Sequence, residues 1–408
     1  MNITSFPKNK IKVLLLENIH PKAKEIFEKE GYSVSVINAG LSEENLIRKL
    51  EDVRILGIRS RTHITNHVVS STKKLWAIGA FCIGVNQIDL SSCQKHGIAV
   101  FNAPFSNTRS VVELVMSEII VLMRNILPKN DKLHRGIWDK AARGNHEVRG
   151  KKLGIIGYGN IGSQLSVLAE SFGMQVYYYD ITEKLALGNG KKCKSLQDLL
   201  SISDVVSIHV DGSPKNNKLI GKAEIDLMKK GAVLINASRG FVVDVPPLAE
   251  AVKQGKLSGA GIDVFPDEPK SNSHPFHSEL RGLQNVILTP HIGGSTEEAQ
   301  HNIAEFVPEN IIRYMNSGNS NLSVNFPRLN LPLQDKAHRF IHIHENAPGV
   351  LAEINKIFGS HGINIMGQYL KTHENIGVVI SDVDTKYKKS IISQLKSVKH
   401  TIKFRVLY

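Results

Sequence analysis

Lys151-Lys152-Leu153-Gly154-Ile155-Ile156-Gly157-Tyr158-Gly159-Asn160-Ile161-Gly162 is the stretch from which the fold is read. Leu153 to Ile156 reads as a short buried strand. Gly157, Gly159 and Gly162 form G-x-G-x-x-G at the turn into a helix carrying Leu165, Val167, Leu168 and Ala169. A second apolar run, Gln175-Val176-Tyr177-Tyr178-Tyr179, ends on Asp180. The first glycine allows the tight turn, the second lets backbone approach a pyrophosphate, and the third lets helix and strand pack closely. Free N–H groups and the dipole at the helix N-terminus favour negative charge. A carboxylate ending the second strand can accept bonds from both ribose hydroxyls and repels a 2′-phosphate. The stretch predicts a dinucleotide site that prefers NAD to NADP. The glycines alone would fit a plain turn in an ordinary βαβ unit.

Upstream, strands are expected at Ile11-Lys12-Val13-Leu14-Leu15-Leu16, Tyr32-Ser33-Val34-Ser35-Val36, Ile55-Leu56-Gly57-Ile58, Leu75-Trp76-Ala77-Ile78 and Val100-Phe101-Asn102, with helical runs between the earlier ones. Downstream, apolar runs at 205–210, 232–236, 259–264 and 285–289 continue the pattern. Such alternation predicts two doubly wound parallel sheets, Rossmann-like or flavodoxin-like, in an α/β chain. Residues 110–126 form one long apolar helix, placed to cross between domains or to line an oligomer interface. Residues 134–150 read as irregular, and Trp138 there either anchors a partner subunit or packs locally. Residues 316–332, rich in Asn, Ser, Gly and Pro, read as a linker. The tail, 337–408, reads as strand, helix, strand, strand, helix, strand, with the second helix from Lys388. That βαββαβ order is ferredoxin-like.

A chain of 408 residues suggests two or three domains, at about 100–200 residues each. No apolar run reaches the roughly 18 residues of a membrane span. The N-terminus lacks a signal core, so a cytoplasmic location and no membrane partner are expected. Cys82, Cys93 and Cys193 form no C-x-x-C pair and no metal spacing, so no metal is expected. The formal charge of +13 is spread over scattered lysines, with no aromatic-interleaved basic cluster. It predicts solubility, and attraction of small anions, rather than nucleic-acid binding.

Three residues fall at strand ends beyond the glycine motif. Arg239 follows Leu234-Ile235-Asn236-Ala237-Ser238, Glu268 follows Asp263-Val264-Phe265-Pro266-Asp267, and His291 follows Leu288-Thr289-Pro290. Ligands collect outside the carboxyl ends of strands in open α/β sheets, so all three can reach one crevice. Oxidising an alcohol moves a hydride to NAD and a proton to a base. Histidine suits the proton, a carboxylate on its other nitrogen fixes the tautomer, and arginine can grip a carboxylate with two parallel bonds. Taken singly, each is equally a loop histidine or a surface charge.

Residues 154–162, 234–244, 261–269 and 288–296 resemble the D-isomer-specific 2-hydroxyacid dehydrogenases. The first 110 residues, with Ile58-Arg59-Ser60-Arg61-Thr62 and Asn102-Ala103-Pro104-Phe105-Ser106-Asn107, are similar to the members acting on 3-phospho-D-glycerate. The likeness runs nearly end to end and includes a C-terminal module similar to an ACT domain. It implies catalysis by Arg239, Glu268 and His291. It implies NAD contacts from Gly157, Gly159, Asn160, Ile161, Gly162, Asp180, Ala237, Ser238, Arg239, Asp263, His291, Gly293 and Gly294. Arg59 and Arg61 would grip the substrate phosphate or carboxylate. The implied substrate-binding domain is discontinuous, 1–106 with 295–330, around a cofactor domain at 107–294, with hinges at Ser106-Asn107 and Gly293-Gly294. The ACT domain, 337–408, would bind L-serine through His344, Asn346 and Asn364 at a seam between copies.

The implied activity is NAD-dependent oxidation of 3-phospho-D-glycerate to 3-phosphooxypyruvate, the first step of L-serine synthesis, under serine feedback. A side reduction of 2-oxoglutarate to 2-hydroxyglutarate is implied too, in a homo-oligomer expected as a tetramer. The alternatives are another D-2-hydroxyacid dehydrogenase and a non-catalytic NAD-sensing protein. One loop departs from the pattern: Asp211-Gly212-Ser213-Pro214-Lys215-Asn216-Asn217 stands where family members often show proline and a threonine-bearing loop.

Overall fold

The computed structural model describes residues 6–269, 274–332, 337–384, 387 and 389–407. They fall into two compact units, Met1–Pro104 with Gln300–Tyr408, and Phe105–Ala299. The tail clusters with the first unit.

The first unit holds a five-stranded sheet of β1 (Lys12–Leu16), β2 (Ser33–Ile37), β3 (Ile55–Ile58), β4 (Ala77–Ala80) and β5 (Ala99–Phe101), in the order β2-β1-β3-β4-β5. All its pairings are parallel. β3, β4 and β5 are buried throughout, as strands covered on both faces must be, while β2 is an exposed edge.

The second unit holds seven parallel strands: β6 (Lys152–Ile156), β7 (Gln175–Tyr179), β8 (Lys191–Lys192), β9 (Val205–Ile208), β10 (Ala232–Asn236), β11 (Leu257–Ile262) and β12 (Val286–Leu288). Their order, β12-β11-β10-β9-β6-β7-β8, reverses between β6 and β9. The glycine motif therefore leaves β6 at the switch point, where a crevice opens. The helix Thr108–Met123 packs its buried Val112, Val115 and Ile119 into the core beside β6 and β10.

Two expectations need correction. The long apolar helix does not run to Ile126. Asn125 turns left-handed at φ 48°, and a separate helix, Ile126–His134, follows. No residue of that second helix is buried, so it had no core face for periodicity to reveal. Nor is 316–332 a loose linker. Ser320, Ser323, Asn325, Phe326, Leu329 and Leu331 are buried. Asn325 finishes the edge of β5: its Oδ1 accepts from Val100 N–H at 2.9 Å, and its Nδ2 donates to the Ile98 carbonyl at 2.9 Å. Polar composition suggested solvent, but these side chains replace the strand that a sheet edge lacks.

The tail folds as an antiparallel sheet in the order β14-β15-β13-β16, from β13 (His338–Glu345), β14 (Ile365–His373), β15 (Ile376–Val383) and β16 (Thr401–Val406). Helices Val350–Ser360 and Lys389–Ser397 cover one face; Lys388 lies outside the described residues. The other face joins the first unit's core through Ile341, Ile343, Val378 and Ile380.

Arg339 pins the tail there. Its Nε and Nη2 meet the Asp382 carboxylate at 2.7 and 2.6 Å, while Nη1 and Nη2 donate to the Ser317, Leu331 and Pro332 carbonyls. Both side chains of the ion pair are 3% exposed or less. A buried pair stripped of one partner leaves an uncompensated charge. Arg339→Ala is therefore expected to cost about 3 kcal/mol, read as a lowered denaturant midpoint, whereas a loss below about 1 kcal/mol would refute the pin.

Among the described residues no helix is long and apolar enough to cross a membrane, and no cluster of His, Cys, Asp or Glu is placed to hold a metal ion.

Candidate active site

The glycine turn has the shape a dinucleotide requires. Gly157 sits at φ 88°, and a side chain there would run into the His209 carbonyl. A methyl on Gly162 would overlap the Gly157 carbonyl, whereas one on Gly159 would project into open space. No side chain caps the helix Asn160–Ser171, so its first N–H groups are left for a phosphate.

Asp180 is tied into the same turn. Its Oδ2 accepts from Tyr158 N–H, and its Oδ1 from the N–H and hydroxyl of Thr182, each at 2.8 Å. Burial pushes this carboxyl up, but those bonds and the charge of Lys184 outweigh it, so its pKa lies below the ordinary value. A fixed, ionised carboxylate beside an open glycine turn fits the adenosine half of NAD. Asn160 and Ile161 open the helix next to it. In the divergent loop after β9, Asp211 accepts from Ser213 N–H and from the Asn216 amide, closing a short 3-10 turn.

The three strand-end residues converge. His291 Nδ1 lies 2.8 Å from Glu268 Oε2, with side chains 49% and 36% exposed. Glu268 Oε1 accepts from Phe265 N–H at 3.2 Å. The hydrogen bond that His291 donates to Glu268 raises the His291 pKa, against burial, and the charges of Glu268 and Asp263 add to it while Arg239 opposes. Glu268 moves the other way: burial raises it, but the bond and charge of His291, with Phe265 N–H and Arg239, hold it below the usual range. Arg239 acts on both members of the couple, which puts its charge in the same cleft. Its Nη1 donates to the Ser238 carbonyl at 2.6 Å.

The turn carrying His291 is held in an unusual conformation. His291 has φ 55°, a region disfavoured for residues with a Cβ. Asp263, 2% exposed, fixes it. Its Oδ1 accepts from the Thr289 hydroxyl at 2.6 Å and Ile292 N–H at 2.8 Å, its Oδ2 from Gly293 N–H at 2.9 Å, and its own carbonyl from His291 N–H at 2.8 Å. The structure thus makes Asp263 the brace of the histidine turn. At Gly294 a side chain would collide with the Asn107 amide.

Sequence reasoning missed three supporting residues. Asn236, buried at the end of β10, accepts from Ser238 N–H and its hydroxyl and donates to the Arg239 carbonyl, shaping the Ala237-Ser238-Arg239 turn. Gly240 lies so close to Phe265 and Pro266 that a methyl would overlap their backbone. Glu118 packs against Gly261, and among the described residues neither of its oxygens has a partner. Burial, then the charge of Asp263, pushes its pKa up to about 8, so this carboxyl stays protonated at neutral pH. In the sequence it is one of two acids in an apolar helix, with Glu113, and nothing there separates the buried one from the exposed one.

Arg59 and Arg61 leave the end of β3 in the first unit; Arg59 is half-buried and Arg61 exposed. Among the described residues neither guanidinium has a partner. In the tail, His344 is buried, with Nδ1 at 2.7 Å from the Glu345 carbonyl and Nε2 unpartnered among the described residues. Asn346 donates to the Glu374 carbonyl at 3.0 Å, beside the β14–β15 turn. Asn364 is not with them. Its carbonyl accepts from Asp384 N–H at the opposite end of those strands, about 25 Å along the sheet. One chain alone cannot close all three around one small ligand.

A family model described as D-isomer specific 2-hydroxyacid dehydrogenase, NAD binding domain, matches residues 116–293. One described as AHAS small subunit-like ACT domain matches residues 340–403. The chain is 51% identical over 408 residues to D-3-phosphoglycerate dehydrogenase of Haemophilus influenzae, covering 100% of each chain. It is 51% identical over 407 residues to the Escherichia coli K12 enzyme of the same name, covering 99% of each. Among solved structures, D-lactate dehydrogenase from Aquifex aeolicus, complexed with NAD and lactic acid, matches with a TM-score of 0.68 at 27% identity, over 77% of this chain and 99% of that one. D-2-hydroxyisocaproate dehydrogenase matches with a TM-score of 0.69 at 25% identity, over 78% and 100%. Half-identity from end to end, on a fold whose strand ends carry this chemistry, leaves one family: the chain belongs to the D-isomer-specific 2-hydroxyacid dehydrogenases, is an NAD-dependent oxidoreductase with a C-terminal ACT domain, and groups with the D-3-phosphoglycerate dehydrogenases.

Proposed function

We propose that this enzyme oxidises 3-phospho-D-glycerate to 3-phosphooxypyruvate, the opening reaction of L-serine synthesis. The observation that carries the chemistry is the 2.8 Å bond between Glu268 and His291 Nδ1. It keeps the proton of neutral His291 on Nδ1 and leaves Nε2 to take the proton of the substrate hydroxyl. Glu268 then stabilises the imidazolium. Arg239 holds the carboxylate or the developing keto oxygen, in a geometry lysine cannot match. Bound NAD supplies the hydride acceptor. Arg59 and Arg61, with no partner among the described residues, suit a doubly anionic substrate better than lactate. By the same logic they admit 2-oxoglutarate, whose reduction is the side activity of this reading.

The test is NADH formation by the purified enzyme with 3-phospho-D-glycerate and with D-lactate, using NAD and then NADP. Turnover is expected with phosphoglycerate, and with NAD preferred, because Asp180 repels a 2′-phosphate. Equal turnover with lactate would sink the substrate reading.

L-serine is the proposed effector of the ACT domain. Because Asn364 lies far from His344 and Asn346 within one chain, the proposed seam needs two copies. Exposed Met366, Tyr369 and Leu370 on edge strand β14 support a self-association face. Around Trp138, itself 78% exposed, the exposed Ile126, Leu127, Leu133 and Ile137 support a second, and two faces together make a tetramer. The expected setting is the cytoplasm, where three free cysteines stay reduced. Asn346→Ala is expected to abolish inhibition by L-serine at millimolar concentrations while keeping turnover. Undiminished serine sensitivity would remove Asn346 from the effector site.

A further inference from the structure

The loop Arg59-Ser60-Arg61-Thr62 is held from two sides by groups outside any motif of the sequence. On one side stands Glu17, 6% exposed, just past β1. Its Oε2 accepts from Arg61 N–H at 2.9 Å and its Oε1 from Thr62 N–H at 2.8 Å. Glu17 and its neighbour Asn18 are both left-handed, at φ 63° and 53°. Two such residues in succession persist only where the surroundings over-determine them, and such strain gathers at functional sites. On the other side Gln87, 9% exposed, donates from Nε2 to the Arg59 carbonyl at 2.6 Å. The Gln87 carbonyl in turn accepts from Ile64 N–H at 2.8 Å, just beyond the loop.

We infer that Glu17 is a positioning residue for the substrate's anion grip, fixing the backbone that carries Arg61 while leaving both guanidiniums free for ligand. The inference rests on the reading of Arg59 and Arg61 as that grip. A carboxylate bonded this close to an arginine would ordinarily pair with its guanidinium through two parallel bonds. Here both of its oxygens are spent on backbone N–H groups instead. The guanidiniums keep their donors, and the chain from which they spring is ordered before ligand arrives. Preorganisation of this kind removes ordering entropy from the binding step. The ligand class is a small molecule with two anionic groups, such as a phosphate and a carboxylate. The effect belongs in substrate affinity, because Glu17 touches the loop and not the proton-transfer couple.

The test is steady-state kinetics of the full chain with 3-phospho-D-glycerate, for the wild type, Glu17→Gln, Arg61→Ala and the double variant. Glutamine sets an NH2 donor against one of the two N–H groups. In Glu17→Gln the KM for substrate is expected to rise about tenfold, the cost of one buried donor left unsatisfied, with kcat and the KM for NAD within about twofold. In the Arg61→Ala background the same change is expected to add less than about twofold, since Glu17 acts through Arg61. Equal effects in both backgrounds overturn the inference. So does an unmoved KM in Glu17→Gln where Arg61→Ala raises it. If Arg61→Ala itself leaves KM unchanged, the grip and the inference fall together, which tells the two failures apart. Should Glu17→Gln not fold, Gln87→Leu combined with Arg59→Ala reads the opposite side of the brace by the same criteria.

Discussion

His291→Ala is expected to lower kcat about 10³-fold while changing the Kd for NAD far less, because the alanine removes the base but leaves the glycine turn and Asp180, the proposed hold on the phosphates and ribose. The proposed cofactor cradle comprises Gly157, Gly159, Gly162 and Asp180, at the ends of β6 and β7 and in the first turn of the helix after β6. The histidine stands on the turn after β12. The companion variant Glu268→Gln carries a sign. The carboxylate's hydrogen bond and charge raise the His291 pKa. Neutralising it should lower that pKa, so the acid limb of the kcat/KM profile moves to lower pH. Turnover on the plateau should fall as well, because the imidazolium loses its stabilising charge. An acid limb that stays in place, or moves to higher pH, would show that Glu268 is not the partner that tunes the base. Retention of most of the wild-type kcat in His291→Ala would remove histidine from the chemistry altogether.

The second large effect comes from a residue with no side chain. Gly240 follows Arg239 directly, and its Cα faces the backbone of Phe265 and Pro266, so a methyl would overlap both. That backbone leads into Glu268 and donates to it through Phe265 N–H at 3.2 Å. Gly240→Ala must therefore spread two loops, one carrying the arginine and the other carrying the carboxylate. A displacement of about 1 Å in a reacting constellation costs about 10²-fold. The expected outcome is a drop of at least that size in kcat/KM, with NAD binding kept and a thermal melt that stays cooperative. Wild-type turnover in Gly240→Ala would mean that the loops absorb the methyl, and that the close approach has no part in placing Glu268.

Much of this site was legible before any coordinates. Gly157, Gly159, Gly162 and Asp180 lie within one βαβ unit, where spacing and turn geometry fix their relation. Arg239, Glu268 and His291 could be singled out because each follows an apolar run that had to be a strand. What could not be read was the support beneath them. Asp263 is expected among the nucleotide contacts, but nothing in the sequence pointed to its carboxylate bracing the turn of His291. Segment 316–332 looked like a linker, and its polar side chains turned out to finish a sheet edge. The helix Ile126–His134 was invisible because periodicity reports a buried face, and this helix has none.

The sequence by itself determined most of the order of strands and helices, the nucleotide turn and the residue types set at strand ends, since all of these follow from periodicity and from conformational limits acting over a few neighbouring residues. Only the tertiary structure decided that Glu17 holds Arg61 and Thr62, that Arg339 finds Asp382, and that Asn325 completes the edge beside Val100. Those pairings join residues far apart along the chain. They depend on which strands become neighbours in a sheet, a choice made by the burial of whole faces rather than by any local run of residues.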